Sequence, residues 1–276
     1  PLGMTSYRSL FEDVLRVPVV GSRAEVTSLA TDKLLTKQIL AAAGVAVPET
    51  FAADDPTRIT YPVIVKPNRE DNSRGLTLVD GPGDLGPAIA EAAAFDAGVL
   101  IEEYVPGREL RVAVVDTGDE LHVPAMIDYV VSAERPIREL DHKLDLGADG
   151  NPRAQANGNG VPMVCPADVT SDLEREVSAL ARSAHRALGC RDYSLFDVRV
   201  DPAGRAKVLE AGLFWTFGAP SMISRMIAAG GGDVEATATS VWRHAIARGV
   251  ADRPEASEPP TADRGSGAGR VPALSS

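Results

Sequence analysis

Two carboxylates in the last third of the chain lie inside apolar runs that predict strands. Asp197 stands in LFDVRV and Glu210 in KVLEAG, 13 residues apart (210 − 197), with a Pro-Ala-Gly turn between them. A carboxylate among apolar neighbours is costly unless it is paired, protonated or bound to a metal. Two that converge across a hairpin form a hard oxygen site, suited to Mg²⁺ and to the phosphate oxygens that Mg²⁺ also binds. The alternative is that one of them faces solvent.

Lys66 ends the apolar run YPVIVKP and precedes a polar loop with the tip Asn72-Ser73-Arg74-Gly75. A strand holds the ammonium group in place, and the loop tip offers hydroxyl, amide and backbone N–H donors. This combination is typical of a phosphate-binding site. The alternative is a solvated lysine beside an ordinary hairpin.

Two further segments carry polar groups at the ends of predicted elements. Glu102 lies in the strand pattern VLIEEYV, and Glu109 follows a short turn. Carboxylates and free backbone groups at a strand end suit a purine edge and a ribose, although a solvated strand end shows the same pattern. In FGAPSMISRM, the backbone N–H of Gly218 and the hydroxyl of Ser221 suit an anion at a helix N-terminus.

The elements that must position these residues alternate between helical and strand patterns. The mixture predicts an α+β fold, with mainly antiparallel sheets and helices packed on one side. Residues 147–160 have no apolar anchor and predict a mobile loop. Helices are predicted over 28–43, 84–94, 171–189 and 233–249, and strands over 61–67, 76–80, 99–105, 109–116, 120–131, 192–201 and 206–214.

The composition limits the partners. The chain has 28 Lys+Arg against 39 Asp+Glu, a net charge of −11, which argues against nucleic acid and anionic membrane as main partners. No apolar run approaches the length of a membrane span, and no signal peptide is visible. Cys165 and Cys190 form no disulfide framework, so we expect a reduced, cytoplasmic protein with inert thiols. His185 and His244 lie in predicted helices and are expected at the surface.

In this order, the segments resemble the ATP-grasp superfamily and, within it, the D-alanine–D-alanine ligase branch. VVGSRAEVTSLATDKLLTKQILAAAGVAVP resembles the entry to the ATP-grasp domain, and YPVIVKPNREDNSRGL its lysine strand and phosphate loop. VLIEEYVPGREL resembles the adenine and ribose segment, FDVRVDPAGRAKVLEAG the metal hairpin, and GAPS the corner that holds the acceptor carboxylate. The resemblance implies an ATP-grasp fold, in which two α+β subdomains with mainly antiparallel sheets clasp ATP between them.

The resemblance also implies cofactors, substrates and roles. With ATP and Mg²⁺, a carboxylate would become an acylphosphate and an amine would displace phosphate to form an amide, on a specialised amino-acid-like or peptide substrate, as in secondary metabolism. Positioning and charge stabilisation do most of the work in such phosphoryl transfer. The implied sets are catalytic Lys66, Ser73, Arg74, Arg199 and Gly218; ATP-binding Lys33, Lys66, Glu102, Tyr104, Val105 and Glu109; substrate-binding Lys143, Ser221 and Arg225; and the metal ligands Asp197 and Glu210.

The chain departs from the family pattern around the metal hairpin. Gly212 stands where the family has an Asn ligand, and Leu195 where it has an Arg that stabilises the tetrahedral intermediate. Either another cation replaces that Arg, with Arg199, Arg225 and Arg74 as candidates, or the chemistry differs. The bulky segment LFWTFG replaces a polar turn and indicates a more apolar acceptor.

The start of the chain departs as well, because Met4 falls close to the ATP-grasp entry. We therefore expect a homodimer, or a partner that supplies the family's N-terminal domain. The predicted organisation is a remnant of protease cleavage over 1–3, an N-terminal helix or strand over 4–20, a first subdomain over 21–105, a second over 106–250, and a disordered tail over 251–276. Two other functions stay open: a phosphotransferase that stops at a phosphorylated product, and a non-catalytic nucleotide-binding subunit.

Overall fold

The computed structural model of the chain describes residues 2–132, 136–138, 145–146, 152–153 and 161–251. The predicted tail lies outside them from residue 252 onward. The chain opens with helix α1 (Leu2–Ser9), which begins within the predicted cleavage remnant, and continues as a short π-helix (Leu10–Val14). No helix among the described residues is long and apolar enough to cross a membrane.

The first sheet is four-stranded and antiparallel. Its strands β1 (Thr50–Phe51), β2 (Val63–Pro67), β3 (Thr77–Val79) and β4 (Val99–Glu103) lie in the order β1-β4-β2-β3. Side chains alternate between the faces of a strand. Val63 and Val65 of β2 therefore pack with helix α4 (Pro82–Ala93), while Ile64 and Lys66 line a cleft on the other face.

The second sheet is six-stranded and antiparallel. Its strands are β5 (Arg108–Asp116), β6 (Leu121–His122), β7 (Ile127–Tyr129), β10 (Met163–Val164), β11 (Tyr193–Val200) and β12 (Ala206–Gly212). They lie in the order β10-β7-β5-β11-β12, with β6 beside β5. The remaining helices are α2 (Ala24–Thr31), α3 (Lys33–Ala42), α5 (Ser171–Ala187), α6 (Met222–Ala229) and α7 (Val234–Ala251). One of its faces packs against α3 and α5, with Val112, Val114, Phe196 and Val198 in the core. The other packs against α6 and α7, with Ala113, Val115, Tyr193 and Leu195 in the core.

Several predicted boundaries are wrong for local reasons. The helix predicted over 28–43 is divided at Asp32, which leaves the helical conformation and accepts a hydrogen bond from Leu35 N (3.0 Å) as the cap of α3. Helix α5 begins at residue 171 as predicted, with Thr170 as its capping residue, but it ends at Ala187, two residues before the predicted end. The strand predicted over 120–131 is interrupted between β6 and β7.

The predicted loop 147–160 contains a short strand. Strand β9 (Pro152–Arg153) pairs with β8 (Asp145–Leu146) in a separate two-stranded sheet. The other positions of 147–160 lie outside the described residues. Helix α3 packs on the second sheet through Leu40, and the predicted boundary between the two subdomains stays a prediction.

The expectation that His185 lies at the surface is wrong. Its side chain on α5 is 2% exposed, and Nδ1 lies 2.9 Å from Ser194 Oγ. Burial lowers the pKa of His185 to about 4. Cys190 is buried, and burial raises the pKa of its thiol to about 12, whereas Cys165 is half-buried.

His185 therefore predicts a pH dependence of stability. Its folded pKa is depressed, so its contribution is complete above the unfolded pKa of about 6.5 and is lost as the pH falls towards 4. We expect His185→Gln to flatten the fall in unfolding free energy between pH 6.5 and 4, by up to about 1.4 kcal/mol per pH unit. Urea denaturation at several pH values measures it, with the exposed His122→Gln as control. Equal slopes in His185→Gln and the parent would contradict it.

Candidate active site

A cleft between the two sheets brings most of the predicted site residues together. The first sheet contributes β2 and β4, and the second contributes β11 and β12. One contact joins the two sheets directly, since Lys207 Nζ lies 2.6 Å from Glu103 Oε2. A second joins β12 to the segment before β1, since Val208 N donates to Ala46 O. The predicted residues that line the cleft are Lys33, Lys66, Ser73, Arg74, Glu102, Tyr104, Val105, Glu109, Asp197, Arg199 and Glu210.

Asp197 and Glu210 are direct cross-strand partners on β11 and β12, next to a β-bulge. Side chains of such partners leave a sheet about 5 Å apart, so both carboxylates reach one ion. Both also line the cleft. Mg²⁺ is commonly held by one or two carboxylates, with water and phosphate oxygens completing the shell. The donor set fits this ion, and no cluster of three or more metal-ligating side chains occurs among the described residues.

Glu102 sits between two lysines beneath the cleft. Its Oε1 lies 2.5 Å from Lys66 Nζ and its Oε2 lies 2.9 Å from Lys37 Nζ, with all three side chains almost fully buried. Burial alone would raise the pKa of Glu102, and the two ammonium charges outweigh it, so this pKa lies below its usual range. Burial also lowers the pKa of Lys37 to about 8. The carboxylate of Glu102 thus positions both lysines; its predicted contact with adenine stays a prediction.

Lys37 was missed by sequence reasoning, although its spacing was a usable signal. It follows Lys33 by one helical turn, and residues four apart share a helix face. Lys33 is itself 8% exposed at the N-terminus of α3 and lies 3.4 Å from Asn68 O. Burial lowers the pKa of Lys33. Both α3 lysines therefore point their charge towards the phosphate loop and the cleft.

Glu109 is paired by arginines that the sequence reasoning placed elsewhere or missed. Arg138 Nε donates to Glu109 Oε1, its Nη2 lies 3.3 Å from Asp197 Oδ2, and its guanidinium stacks 3.6 Å from the centre of the Tyr129 ring. Arg199 is 3% exposed and donates to Gly107 O at 2.9 Å and to Pro136 O. The predicted contact of Glu109 with a ribose stays a prediction, and Arg138 already occupies one of its carboxylate oxygens.

The polar loop after Lys66 closes one end of the cleft. Asn72 and Ser73 both adopt left-handed backbone conformations (φ of 58° and 60°), which are costly for residues other than glycine. Ser73 Oγ donates to Arg138 O at 2.7 Å, which ties the loop to the opposite wall. Arg74 lies 5.1 Å over the Phe95 ring at the rim, with its side chain half exposed.

The remaining predicted residues do not join the cleft. Ser221 precedes α6 and is 8% exposed, but its side chain forms no capping hydrogen bond. Arg225 is exposed on α6, and Gly218 lies before that helix. None of the three lines the cleft. Lys143 lies outside the described residues.

A second cavity of about 440 Å³ adjoins the cleft and shares Lys33, Arg138, Asp197 and Glu210 with it. Its walls include the segment LFWTFG through Leu213, Phe214 and Trp215, together with Arg111, Tyr129, Val161, Met163, Leu195 and Met222. The apolar patch that the sequence predicted near an acceptor site therefore lines a cavity next to the paired carboxylates.

The two antiparallel sheets, with buried lysines and paired carboxylates between them, define an ATP-grasp fold. The family described as "D-ala D-ala ligase C-terminus" matches residues 38–240. A D-alanine–D-alanine ligase of Bordetella petrii is 33% identical over 206 residues, covering 72% of this chain and 59% of the relative. The chain belongs to the D-alanine–D-alanine ligase family, as the sequence resemblance predicted.

Solved structures confirm the predicted fold. The VanG D-Ala:D-Ser ligase from Enterococcus faecalis superposes with a TM-score of 0.71 at 23% identity, over 87% of this chain and 68% of that one. A D-alanine–D-alanine ligase from Bacillus anthracis complexed with ATP gives 0.66 at 18% identity, over 90% and 76%.

Proposed function

We propose that the chain is an ATP-dependent ligase that joins a carboxylate to an amine through an acylphosphate. The convergence of Lys33, Lys66, Asp197 and Glu210 in one cleft carries this proposal. Buried ammonium groups and a pair of carboxylates are the groups that a nucleotide triphosphate with Mg²⁺ requires. The family membership and the ATP complex of the Bacillus anthracis relative support it.

In this mechanism the chain positions and neutralises charge. Lys33 and Lys66 hold the phosphates, and the loop around Ser73 covers the γ-phosphate. When bound at Asp197 and Glu210, Mg²⁺ supplies further positive charge to the phosphate oxygens. A substrate carboxylate oxygen attacks the γ-phosphorus, and the bond from that phosphorus to the bridging oxygen breaks, releasing ADP. The amine then attacks the acyl carbon, phosphate leaves, and the amine loses a proton.

The substrates differ from alanine in this proposal. The walls of the second cavity are bulky and apolar around Phe214 and Trp215, which supports a specialised amino-acid-like or peptide substrate. The two free cysteines and the use of ATP support a cytoplasmic location.

Phosphate release with ATP and Mg²⁺ tests the proposed function. The protein is assayed against pooled carboxylates and amines, and each product is identified by mass spectrometry. We expect release only with an acid and an amine together, and a product lighter than their sum by one water. Release with a single acid and a stable phosphorylated product would instead establish a phosphotransferase. Leu195 and Gly212, which stand in place of the family residues, favour this alternative. Nucleotide binding without turnover under any pairing would contradict both enzymes.

We also propose that the chain works with a second copy or a partner. The N-terminal helices expose large apolar side chains, namely Tyr7, Leu10, Phe11, Val14 and Leu15, each at least 38% exposed. An apolar patch of this kind commonly marks an interaction surface. Light scattering of the parent and of Phe11→Asp tests for the homodimer, which we expect in the parent and not in the variant. If both proteins have the mass of a monomer, the homodimer is excluded and a different partner protein is the alternative.

A further inference from the structure

We propose that Arg111 binds the substrate carboxylate that is to be phosphorylated, and that the second cavity takes a substrate with an aromatic or bulky apolar body. This inference rests on the proposed ligase function and deepens it. Its evidence is the geometry around Arg111, which sequence reasoning did not single out.

Arg111 lies on β5 directly opposite Asp197 on β11. Its Nε donates to Asp197 Oδ1 at 2.7 Å and its Nη2 donates to Oδ2 at 2.8 Å. A guanidinium carries five N–H donors, so this fork uses only two. Arg111 makes no other hydrogen bond within the described part of the chain, and Nη1 keeps two donors for a ligand.

Those donors belong to a side chain that lines the second cavity. The Arg111 guanidinium is held between the rings of Tyr129 and Trp215, with centroid distances of 5.4 and 5.3 Å. The side chain is 14% exposed, so water screens its charge weakly. A planar, pre-oriented guanidinium in such surroundings is well suited to a carboxylate.

The bond to Asp197 sets where that carboxylate would lie. Asp197 lines both the nucleotide cleft and the second cavity. A carboxylate bound at Nη1 of Arg111 would therefore lie beside Asp197, the proposed metal ligand. This is the place that an attacking carboxylate must occupy.

The other candidate cations do not fit this place. Arg199 is committed to Gly107 O, Pro136 O and the Glu109 carboxylate, Arg74 stacks at the exposed rim, and Arg225 lies on the exposed side of α6. None of these three lines the second cavity, whereas Arg111 does, on the strand next to that of Leu195.

The apolar wall depends on Gly212. A Cβ at this position would lie 2.9 Å from Trp215 Nε1, so the indole packs over Gly212 and fills the space that any side chain there would need. The position of the Trp215 indole in the wall therefore depends on having Gly212 where the family has an Asn. With Leu195, Phe214 and Met163 nearby, the wall suits an aromatic body better than a methyl group.

Trp215 fluorescence provides the test. The chain has two tryptophans, and Trp242 is 50% exposed on α7, so Trp242→Phe gives a parent that reports on the cavity alone. Three probes separate the two features of the proposed substrate. 3-Phenylpropionate has a carboxylate and an aromatic body, acetate has the carboxylate alone, and 2-phenylethylamine has the aromatic body with an amine in place of the carboxylate. ADP binding is measured in parallel by calorimetry.

We expect 3-phenylpropionate to bind at least tenfold more tightly than the other two probes. In this background Arg111→Gln should weaken its binding by about 10- to 100-fold, which corresponds to the loss of a hydrogen bond between two charged groups. Arg111→Lys, which keeps the charge towards Asp197, should recover part of it. ADP binding without Mg²⁺ should stay within about threefold, because Arg111 contacts the proposed metal ligand Asp197 but does not line the nucleotide cleft.

The inference is overturned if 3-phenylpropionate shows no saturable binding, if acetate binds as tightly, or if both folded Arg111 variants bind it like the parent. Each of these results can occur with normal ADP binding, in which case the proposed function survives. Absence of ADP binding in the parent with Mg²⁺ would instead remove the proposed function itself.

Discussion

Glu210→Gln should lower phosphate release by about a thousandfold or more. The metal ion that Glu210 is proposed to hold stabilises the charge of the phosphoryl-transfer transition state by several kcal/mol. Gln keeps the shape of the side chain and removes its charge. Glu210 is half-buried on β12, and it forms no salt bridge with any described residue. The substitution of Glu210 therefore removes a carboxylate charge from the proposed metal site without breaking an ion pair of the fold.

Asp197 is the poorer position for this test. It accepts hydrogen bonds from Arg111 and from Arg138, so Asp197→Asn would disturb two buried guanidinium groups as well as the metal. The control for Glu210→Gln is Glu174→Gln, an exposed carboxylate on α5. Thermal unfolding should be similar in both variants, and only Glu210→Gln should bind Mn²⁺ more weakly by electron paramagnetic resonance. Turnover within tenfold of the parent would contradict the metal assignment.

The pairing of Asp197 with Glu210 was predictable because its information is local. Asp197 and Glu210 are separated by a short turn, so apolar alternation and the turn residues suffice to place them opposite each other. Lys66 was predictable for the same reason, since its strand and loop are contiguous. The nucleotide side of the site thus follows from short segments read one at a time.

The arginines of the site were not predictable in this way. Arg111 lies 86 residues from Asp197, and Arg138 lies 29 from Glu109. A charged residue in a strand pattern is normally read as solvent-facing, because nothing in the local sequence shows the distant carboxylate that pairs it. Only the order of strands in the second sheet, with β5 beside β11, reveals the pairing.

The segment around Gly218 and Ser221 shows what a short polar motif does not predict. The segment suggested an anion site, yet Ser221 forms no capping bond and does not line the cleft. The bulky residues before it, Phe214 and Trp215, occupy the cavity instead. The predicted contact of Ser221 with a substrate carboxylate stays a prediction, because a short polar motif does not show which neighbouring large side chains reach the cavity.

Glu102→Gln should destabilise the protein by about 3–5 kcal/mol, the usual result of removing one partner of a buried ion pair. The carboxylate lies between Lys37 and Lys66, with each of the three side chains at most 7% exposed. Without it, two ammonium groups remain buried without a counter-charge. Urea denaturation at pH 7 measures the loss, and a change below about 1 kcal/mol would contradict the role of Glu102.

The pH dependence separates lost charge from lost packing. In the parent, burial holds the folded pKa of Lys37 at about 8, below its ordinary value of 10.5. Between these values the unfolded chain binds the additional proton, so unfolding free energy rises with pH. In Glu102→Gln the pKa of Lys37 should fall further, and the rise should begin below pH 8. A simple packing defect would shift stability equally at all pH values.

A second substitution completes the test of Glu102. In Lys37→Met with Glu102→Gln, one of the two stranded ammonium groups is replaced by an apolar side chain of similar length. Buried ion pairs replaced by apolar groups commonly retain or gain stability. The double variant should therefore be more stable than Glu102→Gln alone, while phosphate release stays low because Lys66 still lacks the carboxylate that orients it. If the double variant were less stable than the single one, Glu102 would be acting through packing and not through the charge of the two lysines.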